Sequence, residues 1–94
     1  AKYKLSNDTR NDLIRIHHYG TQKNWNAIAD RYFNSFFEYF DIIAQRTFFL
    51  ESGGFIKLGY RRCPCGSDNI YYKVNNNIVE IMSIIRQQDL DKIT

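Results

Sequence analysis

Two cysteines and two histidines are the residues in this sequence whose types could support metal binding or nucleophilic catalysis. Cys63 and Cys65 flank Pro64, and this spacing strains a mutual disulfide and supplies too few ligands for a metal ion. His17 and His18 are adjacent and lie far upstream, so the sequence contains no paired metal-ligand spacing. We therefore expect two free thiols, no metal site and no cofactor.

Acid–base or thiol catalysis would need one group with a pKa near neutrality and a second group that orients it. Adjacent helical residues point about 100° apart, so at most one of His17 and His18 faces any given site. We expect one solvent-facing and one boundary histidine. No motif links either cysteine to a base, and the chain has neither a Gly-rich phosphate loop nor a GxSxG turn. The sequence therefore indicates no catalytic residue.

Basic residues interleaved with tyrosines form the clearest candidate binding surface. Four cations against the single acid Asp68 give residues 57–73 a charge of +3, equal to that of the whole chain. On adjacent strands these side chains could hold phosphates and stack bases, or receive an acidic partner segment. A solvated sheet edge protected by its charges is equally consistent. The residues concerned are Lys57, Tyr60, Arg61, Arg62, Tyr71, Tyr72 and Lys73.

The composition indicates one compact domain over residues 1–94. The 94 residues are 44% apolar and 16% aromatic, with a single proline. A net charge of +3 is small for a dedicated nucleic-acid binder, so we expect no strong direct binding to DNA or RNA. No apolar run reaches the length of a membrane span and no signal peptide is evident. We expect a soluble cytoplasmic protein with no membrane partner.

Two amphipathic helices are predicted in the first half of the chain. The first spans about residues 7–19, with Ser6 as its N-cap and Gly20 placed to end it. The second is the clearest element, because apolar residues recur at helical spacing at Trp25, Ile28, Ala29, Tyr32, Phe33, Phe36, Phe40 and Ile43. The short linker between them predicts an antiparallel helical hairpin.

The remaining segments have the alternation and the Ile, Val and Tyr content of β-strands. These segments are residues 2–5, 57–62, 69–74 and 78–85, with turn residues at 64–68 and 75–77. Short links predict an antiparallel meander, and the nearly continuous apolar last run predicts a central strand. The expected fold class is α+β, with a short N-terminal strand and a helical hairpin packed on a small antiparallel sheet in the order β-α-α-β-β-β.

Aromatic residues are concentrated in the second helix and the segment after it. Nine of them lie between positions 32 and 55, more than a small sheet can cover. Phe33, Phe36 and Phe40 belong to the predicted core stripe, whereas Phe37, Tyr39 and Ile42 lie off it. An exposed apolar patch on a small domain usually marks a protein partner, so a wrapped or oligomeric state is expected.

An ordered set of short motifs resembles the ParE toxins of the RelE/ParE toxin-antitoxin superfamily. The resemblance extends from about Lys2 to Asp91, and no single motif decides it. Its residues are Leu5-Ser6, Asp12-Leu13, Ile16, Tyr19, Ala29-Asp30-Arg31-Tyr32, Gly59-Tyr60-Arg61-Arg62, Ile70-Tyr71-Tyr72-Lys73-Val74, Val79-Glu80-Ile81, Ile84-Ile85 and Gln88-Asp89. The superfamily fold is a helical hairpin on an antiparallel sheet, in agreement with the order derived above.

The resemblance implies a bacterial toxin that inhibits DNA gyrase without being an enzyme, of the kind that serves plasmid or prophage maintenance. It also implies neutralisation by a cognate antitoxin that wraps the toxin with a flexible C-terminal segment, giving a hetero-oligomer. The contacts to antitoxin or target are then expected from the basic strands, from Arg86 near the C-terminus and from Trp25 as an anchor on the hairpin.

Two alternatives remain at this point. The superfamily also contains ribosome-dependent mRNA endonucleases, which use basic sheet residues with a C-terminal histidine or tyrosine. This chain has Arg86-Gln87-Gln88-Asp89 there, so nuclease activity would depend on Tyr71 or Tyr72, because arginine is no general acid at neutral pH. A small nucleic-acid binder is the other alternative, and its affinity would fall steeply with salt.

Overall fold

The computed structural model describes residues 2–45 and 59–87, which form a strand, two helices and three further strands. The elements are β1 (Lys2–Leu5), α1 (Asn7–Gln22), α2 (Asn26–Gln45), β2 (Arg61–Cys65), β3 (Asp68–Asn75) and β4 (Ile78–Arg86). This order confirms the predicted α+β class. Lys57 and the aromatic residues Phe48, Phe49 and Phe55 lie outside the described residues.

The four described strands form one sheet in the order β1-β4-β3-β2. Strands β2, β3 and β4 are successive antiparallel neighbours, as predicted. Strand β1 instead pairs parallel with β4, with Lys2 opposite Ile78 and Leu5 opposite Ile81. The sheet is therefore mixed, and the prediction of a purely antiparallel sheet was wrong. Short links dictate antiparallel pairing only between strands that they join, whereas the whole helical hairpin separates β1 from its partner.

The core lies between α2 and one face of the sheet. Strand β4 runs between β1 and β3, which confirms its predicted central position. Its side chains Val79, Ile81 and Ile84 are fully buried against Phe36 and Phe40 of α2 and their neighbours in the same cluster. Both helices pack on this face of the sheet, and the buried apolar residues of α2 provide most of the contact between the hairpin and the sheet.

Polar contacts fix the first helix to the central strand. The Oγ atom of Ser6 accepts a hydrogen bond from the backbone N–H of Thr9 at 3.0 Å, which confirms Ser6 as the N-cap. The buried hydroxyl of Thr9 donates to the carbonyl oxygen of Ile81 at 2.8 Å. At the next turn, Asp12 Oδ2 accepts from the backbone N–H of Ile84 at 2.9 Å. Helix α1 therefore runs alongside β4.

The hairpin turn differs from the predicted one. Helix α1 continues to Gln22, and Asn24 takes the left-handed conformation (φ +60°) that ends the helical path. Gly20 is buried inside the helix, where an added Cβ would lie 2.6 Å from the Cβ of Ala29. The prediction that Gly20 ends the helix was wrong, because its lack of a side chain serves the close crossing of α1 and α2 instead.

Strand β2 extends three residues beyond its predicted end and includes both cysteines. Pro64, assigned to a turn from sequence, lies within β2 opposite Asn69, and the tight turn is Gly66-Ser67. A proline fits there because β2 is the edge strand, where one missing N–H need not break the ladder. The predicted turn at 75–77 is confirmed, with Asn76 and Asn77 both at positive φ, as a two-residue hairpin requires.

Candidate functional site

An open groove lies between the start of α2, the neighbouring part of α1 and the end of the sheet. Its volume is about 440 Å³, and its walls carry the apolar and aromatic side chains Ile16, Tyr19, Trp25, Ile28 and Tyr32. Such a volume and lining are typical of sites that receive a ligand or a partner side chain.

The groove exists because the apolar stripe of α2 extends further than the sheet that covers it. From Phe36 onward the stripe is buried, but at its start Trp25 is 49% exposed and Ile28 is 58% exposed. Tyr19 of α1 is 51% exposed and contacts the Trp25 ring edge to face at a centroid distance of 6.4 Å. Large apolar side chains left together in solvent on a small domain indicate a surface that a partner covers.

A hydrogen-bonded tyrosine joins the helical wall of the groove to the β2–β3 turn. The Tyr32 hydroxyl donates to Oδ2 of Asp68 at 2.6 Å and accepts from the backbone N–H of Ser67 at 3.2 Å. Burial and the bond to Asp68 raise the pKa of Tyr32 to about 12. Gly66 has φ +60°, and an added Cβ there would lie 2.5 Å from the Tyr32 ring. The turn is therefore seated directly on Tyr32.

Two arginines lie at the β4 end of the groove. Arg86 stands opposite Asp68 in the β3–β4 register and, within the described part of the chain, makes no ion pair. Among the described residues, the acid that Arg15 of α1 reaches is Asp12, at 3.5 Å, and the second oxygen of that carboxylate accepts from the backbone N–H of Ile84. The groove therefore combines an apolar wall with a cationic end.

The predicted basic cluster is divided by the alternation of side chains along the strands. Cys63 and Cys65 belong to the core, so Arg61, two residues before Cys63, points to the helix side, where it stands opposite Tyr72. Arg62 stands opposite Tyr71 on the other face.

The outer face holds four of the predicted binding residues. Lys73 Nζ lies 6.0 Å from the centre of the Tyr60 ring, and Lys73 shares its face with Tyr71 and Arg62. In the sheet register, Glu80 lies between Lys73 and Lys4, and it makes a 3.9 Å ion pair with Lys4. This face therefore presents a mixed row of charges, whereas Tyr71 on the same face is buried.

The structure places the two cysteines in the core and the two histidines on α1. Cys63 and Cys65 are free and buried, and burial raises the pKa of both thiols, that of Cys65 to about 11. His17 Nε2 lies 2.7 Å from Oδ1 of Asp30 across the hairpin, and its ring packs on Phe33. His18 is exposed. The predictions of free thiols and of one boundary and one exposed histidine are confirmed.

The structure brings together two predicted site residues that are distant in sequence, Trp25 and Arg86, on the same groove. Sequence reasoning missed the contribution of Arg15, Tyr19 and Asp68 to it. Only Tyr19 carried a usable signal, since an aromatic residue just before the hairpin turn faces one just after it.

The chain belongs to the class of small α+β proteins in which a helical hairpin covers one face of a four-stranded sheet. Its fold matches a chain of the solved structure described as the chromosomal ParDE toxin-antitoxin system from P. aeruginosa, with a TM-score of 0.80 and 15% identity. The match covers 90% of this chain and 94% of that one.

The model of the family described as the ParE toxin of the type II toxin-antitoxin system parDE matches residues 3–91. The protein therefore belongs to the ParE toxin family, which confirms the resemblance seen in the sequence motifs. No curated protein matches the sequence. Neither of the described helices is long and apolar enough to cross a bilayer.

Proposed function

We propose that this protein inhibits DNA gyrase by binding to it, and that a cognate antitoxin neutralises it. Membership of the ParE toxin family supports the toxin role. The observation that best supports binding of an antitoxin is the exposed groove. Tyr19, Trp25 and Ile28 lie together in solvent there, where a partner segment would bury them. An inhibitor of gyrase would act in the cytoplasm.

Binding rather than catalysis is supported by the state of the tyrosines on the sheet. Tyr71 and Tyr72, the acid or base candidates of a ribonuclease, are 2% and 0% exposed, so a bulky RNA phosphate does not reach them without rearrangement. Burial raises the pKa of both hydroxyls, that of Tyr72 to about 12 even beside Arg61. A general base works best with a pKa near the working pH, so neither group is suited to RNA cleavage.

The two cysteines support the same conclusion. A thiol nucleophile must be ionised and accessible, whereas the raised pKa values of Cys63 and Cys65 keep both thiols protonated at neutral pH.

The direct test of the target is a supercoiling assay with purified gyrase, relaxed plasmid and this protein. We expect loss of supercoiling and accumulation of cleaved DNA at micromolar protein, and restoration of supercoiling when the cognate antitoxin is added first. Unaffected supercoiling at that concentration would contradict gyrase as the target.

The ribonuclease alternative has its own test. Full-length message and undiminished protein synthesis are expected in a cell-free translation reaction that contains the toxin. Truncated message there would overturn the binding-type assignment.

A further inference from the structure

The two arginines of the groove are brought together by the pairing of α1 with β4. Asp12 is bonded to the backbone of Ile84, so the chain segments that follow it on each element run side by side. Arg15 lies about one helical turn beyond Asp12, and Arg86 lies two residues beyond Ile84 on the same face of the strand. Both side chains line the groove.

The acidic residues near Arg15 and Arg86 balance the positive charge of the two arginines only in part. Of the described residues that line the groove, only Asp68 is a carboxylate; it is 3% exposed, its Oδ2 accepts from Tyr32, and its buried Oδ1 has no hydrogen-bond partner among those residues. Asp12 is shared between Arg15 and the backbone of Ile84. One of the neighbouring carboxylates is shared with a backbone N–H and the other is buried. Since arginine binds carboxylates with good geometry, the two guanidinium groups are suited to a further carboxylate.

The apolar half of the groove adjoins this cationic end. Trp25 and Ile28 are exposed along the α2 wall, and Tyr19 and Ile16 continue the apolar surface from α1. An occupant that satisfies the whole groove must carry a large apolar group close to an anionic one. A polypeptide segment can do so with two neighbouring side chains, whereas a nucleic acid would place its phosphates but leave the aliphatic walls poorly filled.

We propose that the groove binds an antitoxin segment that pairs a large apolar side chain, packed on Trp25 and Ile28, with an acidic side chain held by Arg15 and Arg86. This inference rests on the proposed neutralisation by an antitoxin and names the chemistry by which the antitoxin is recognised. The two arginines then act as specificity residues, since a segment with a basic side chain at that position would meet two like charges.

The first test measures the affinity of the purified full-length toxin for the protein encoded by the adjacent antitoxin gene, by calorimetry at low and moderate salt. Trp25→Ala should weaken binding at least about 30-fold, because a buried aromatic anchor is a typical hot spot. Arg15→Gln and Arg86→Gln should each weaken it about three- to tenfold, and the double variant more, with a shallower salt dependence.

Matched controls change the same residue types away from the groove. Arg31→Gln removes one charge from the exposed side of α2, and Ile78→Ala shortens an exposed apolar side chain at the opposite end of β4 from Arg86. Both controls should keep the wild-type affinity, and the melting temperature of every variant shows whether it is folded.

Wild-type affinity in the folded Arg15→Gln/Arg86→Gln double variant would overturn the inference while leaving neutralisation by the antitoxin intact. If the wild-type toxin fails to bind the antitoxin at all, both proposals are wrong.

A second measurement probes the groove with small molecules of defined charge. Indole-3-propionate and tryptamine share the indole ring and differ in their charged group. In amide and indole NH chemical-shift titrations, the carboxylate compound should shift Trp25 and Arg86 at lower concentration, and Arg86→Gln should remove the difference. Equal or tighter binding of tryptamine would contradict the assigned carboxylate site.

Discussion

At the scale of single residues, Tyr32 is the most informative side chain in the structure. It forms part of the groove wall, and its hydroxyl bonds the buried Asp68 and the backbone of Ser67. A buried carboxylate without hydrogen-bond donors is costly, so this one contact stabilises both the turn and the shape of the groove.

Removal of the Tyr32 hydroxyl tests this role. Tyr32→Phe should lower the free energy of unfolding by about 1–3 kcal/mol, because it removes the hydroxyl donor from Asp68, which is then buried without it. Urea denaturation followed by circular dichroism measures the change. Tyr39→Phe, which alters a partly buried tyrosine elsewhere on α2, is the matched control and should change stability much less. An equal loss in both variants would contradict the assigned role of the contact.

The raised pKa values of buried tyrosines and of one thiol predict the response to alkali. The pKa of Tyr32 and that of Tyr72 are each about 12 in the folded protein, against an ordinary value of 10.0, and that of Cys65 is about 11 against 9.0. A group whose folded pKa is raised stabilises the fold fully below its unfolded pKa and loses that contribution as pH rises to the folded pKa. Stability should therefore be steady up to about pH 9 and fall between about pH 9 and 12.

The measurement is the unfolding free energy as a function of pH, with tyrosinate absorbance recorded in parallel. Tyr32→Phe should make the fall shallower above pH 10, because it removes one of the groups whose contribution is lost there. An unchanged slope in that variant, or flat stability up to pH 12 in the wild type, would contradict the burial of these groups.

At the scale of elements, the crossing of α1 and α2 at Gly20 and Ala29 determines where the groove opens. An added Cβ at Gly20 would lie 2.6 Å from the Cβ of Ala29, a separation that the two helices cannot keep. The helices would have to separate at the end that carries Tyr19 and Trp25. The position of these side chains therefore depends on Gly20, which directly follows Tyr19 and whose carbonyl oxygen accepts a hydrogen bond from the backbone N–H of Trp25 at 3.0 Å.

A substitution and its compensating change test this crossing. Gly20→Ala should destabilise the protein by about 1–3 kcal/mol through overpacking, although alanine is the better helix former by up to about 1 kcal/mol. The double variant Gly20→Ala/Ala29→Gly moves the methyl group across the interface and should recover part of the lost stability. Chemical denaturation measures both. A stabilising Gly20→Ala variant would show that the crossing is not tight.

The elements also show how much of the fold the sequence could predict. Helical periodicity and turn residues were sufficient for the element order and for β4 as the central strand, because these depend on local patterns. The end of β2 was misplaced because proline is typical of turns, and Pro64 is acceptable in a strand only because β2 lies at the edge of the described sheet. The parallel pairing of β1 depends on a contact between residues 2–5 and 78–81, which no local pattern encodes.

The candidate site was less predictable than the fold, because it depends on contacts between residues that are distant in sequence. Trp25 and Arg86 were candidates by residue type, but their meeting in one groove follows from the pairing of α1 with β4 and from the length of the sheet. The alternation of β2 separates Arg61 from Arg62, although they are neighbours in sequence. Lys57 lies outside the described residues, so its binding role stays a prediction.

At the scale of the whole molecule, the protein is a small folded unit with an apolar groove that a partner is expected to cover. Linkage then connects binding to stability, since a partner that binds only the folded toxin raises its melting temperature. At antitoxin concentrations of about 100 times the dissociation constant the gain is about 2.7 kcal/mol, which corresponds to a shift of several degrees for a domain of this size.

Differential scanning calorimetry with increasing antitoxin measures this shift. The melting temperature should rise with the logarithm of free antitoxin concentration in the wild type and in Ile78→Ala. It should rise much less in Trp25→Ala at the same concentrations. Equal melting of the wild type with and without saturating antitoxin would contradict coverage of the groove.

The central claim is that the toxin inhibits gyrase by binding, and the most direct measurement is a titration of gyrase supercoiling against the molar ratio of toxin to gyrase. For a binding inhibitor, the loss of activity should depend on that ratio, reach its final value quickly and reverse when antitoxin is added after inhibition. Inhibition by a small molar fraction of toxin that deepens with time and persists after antitoxin addition would show catalytic modification and contradict the claim.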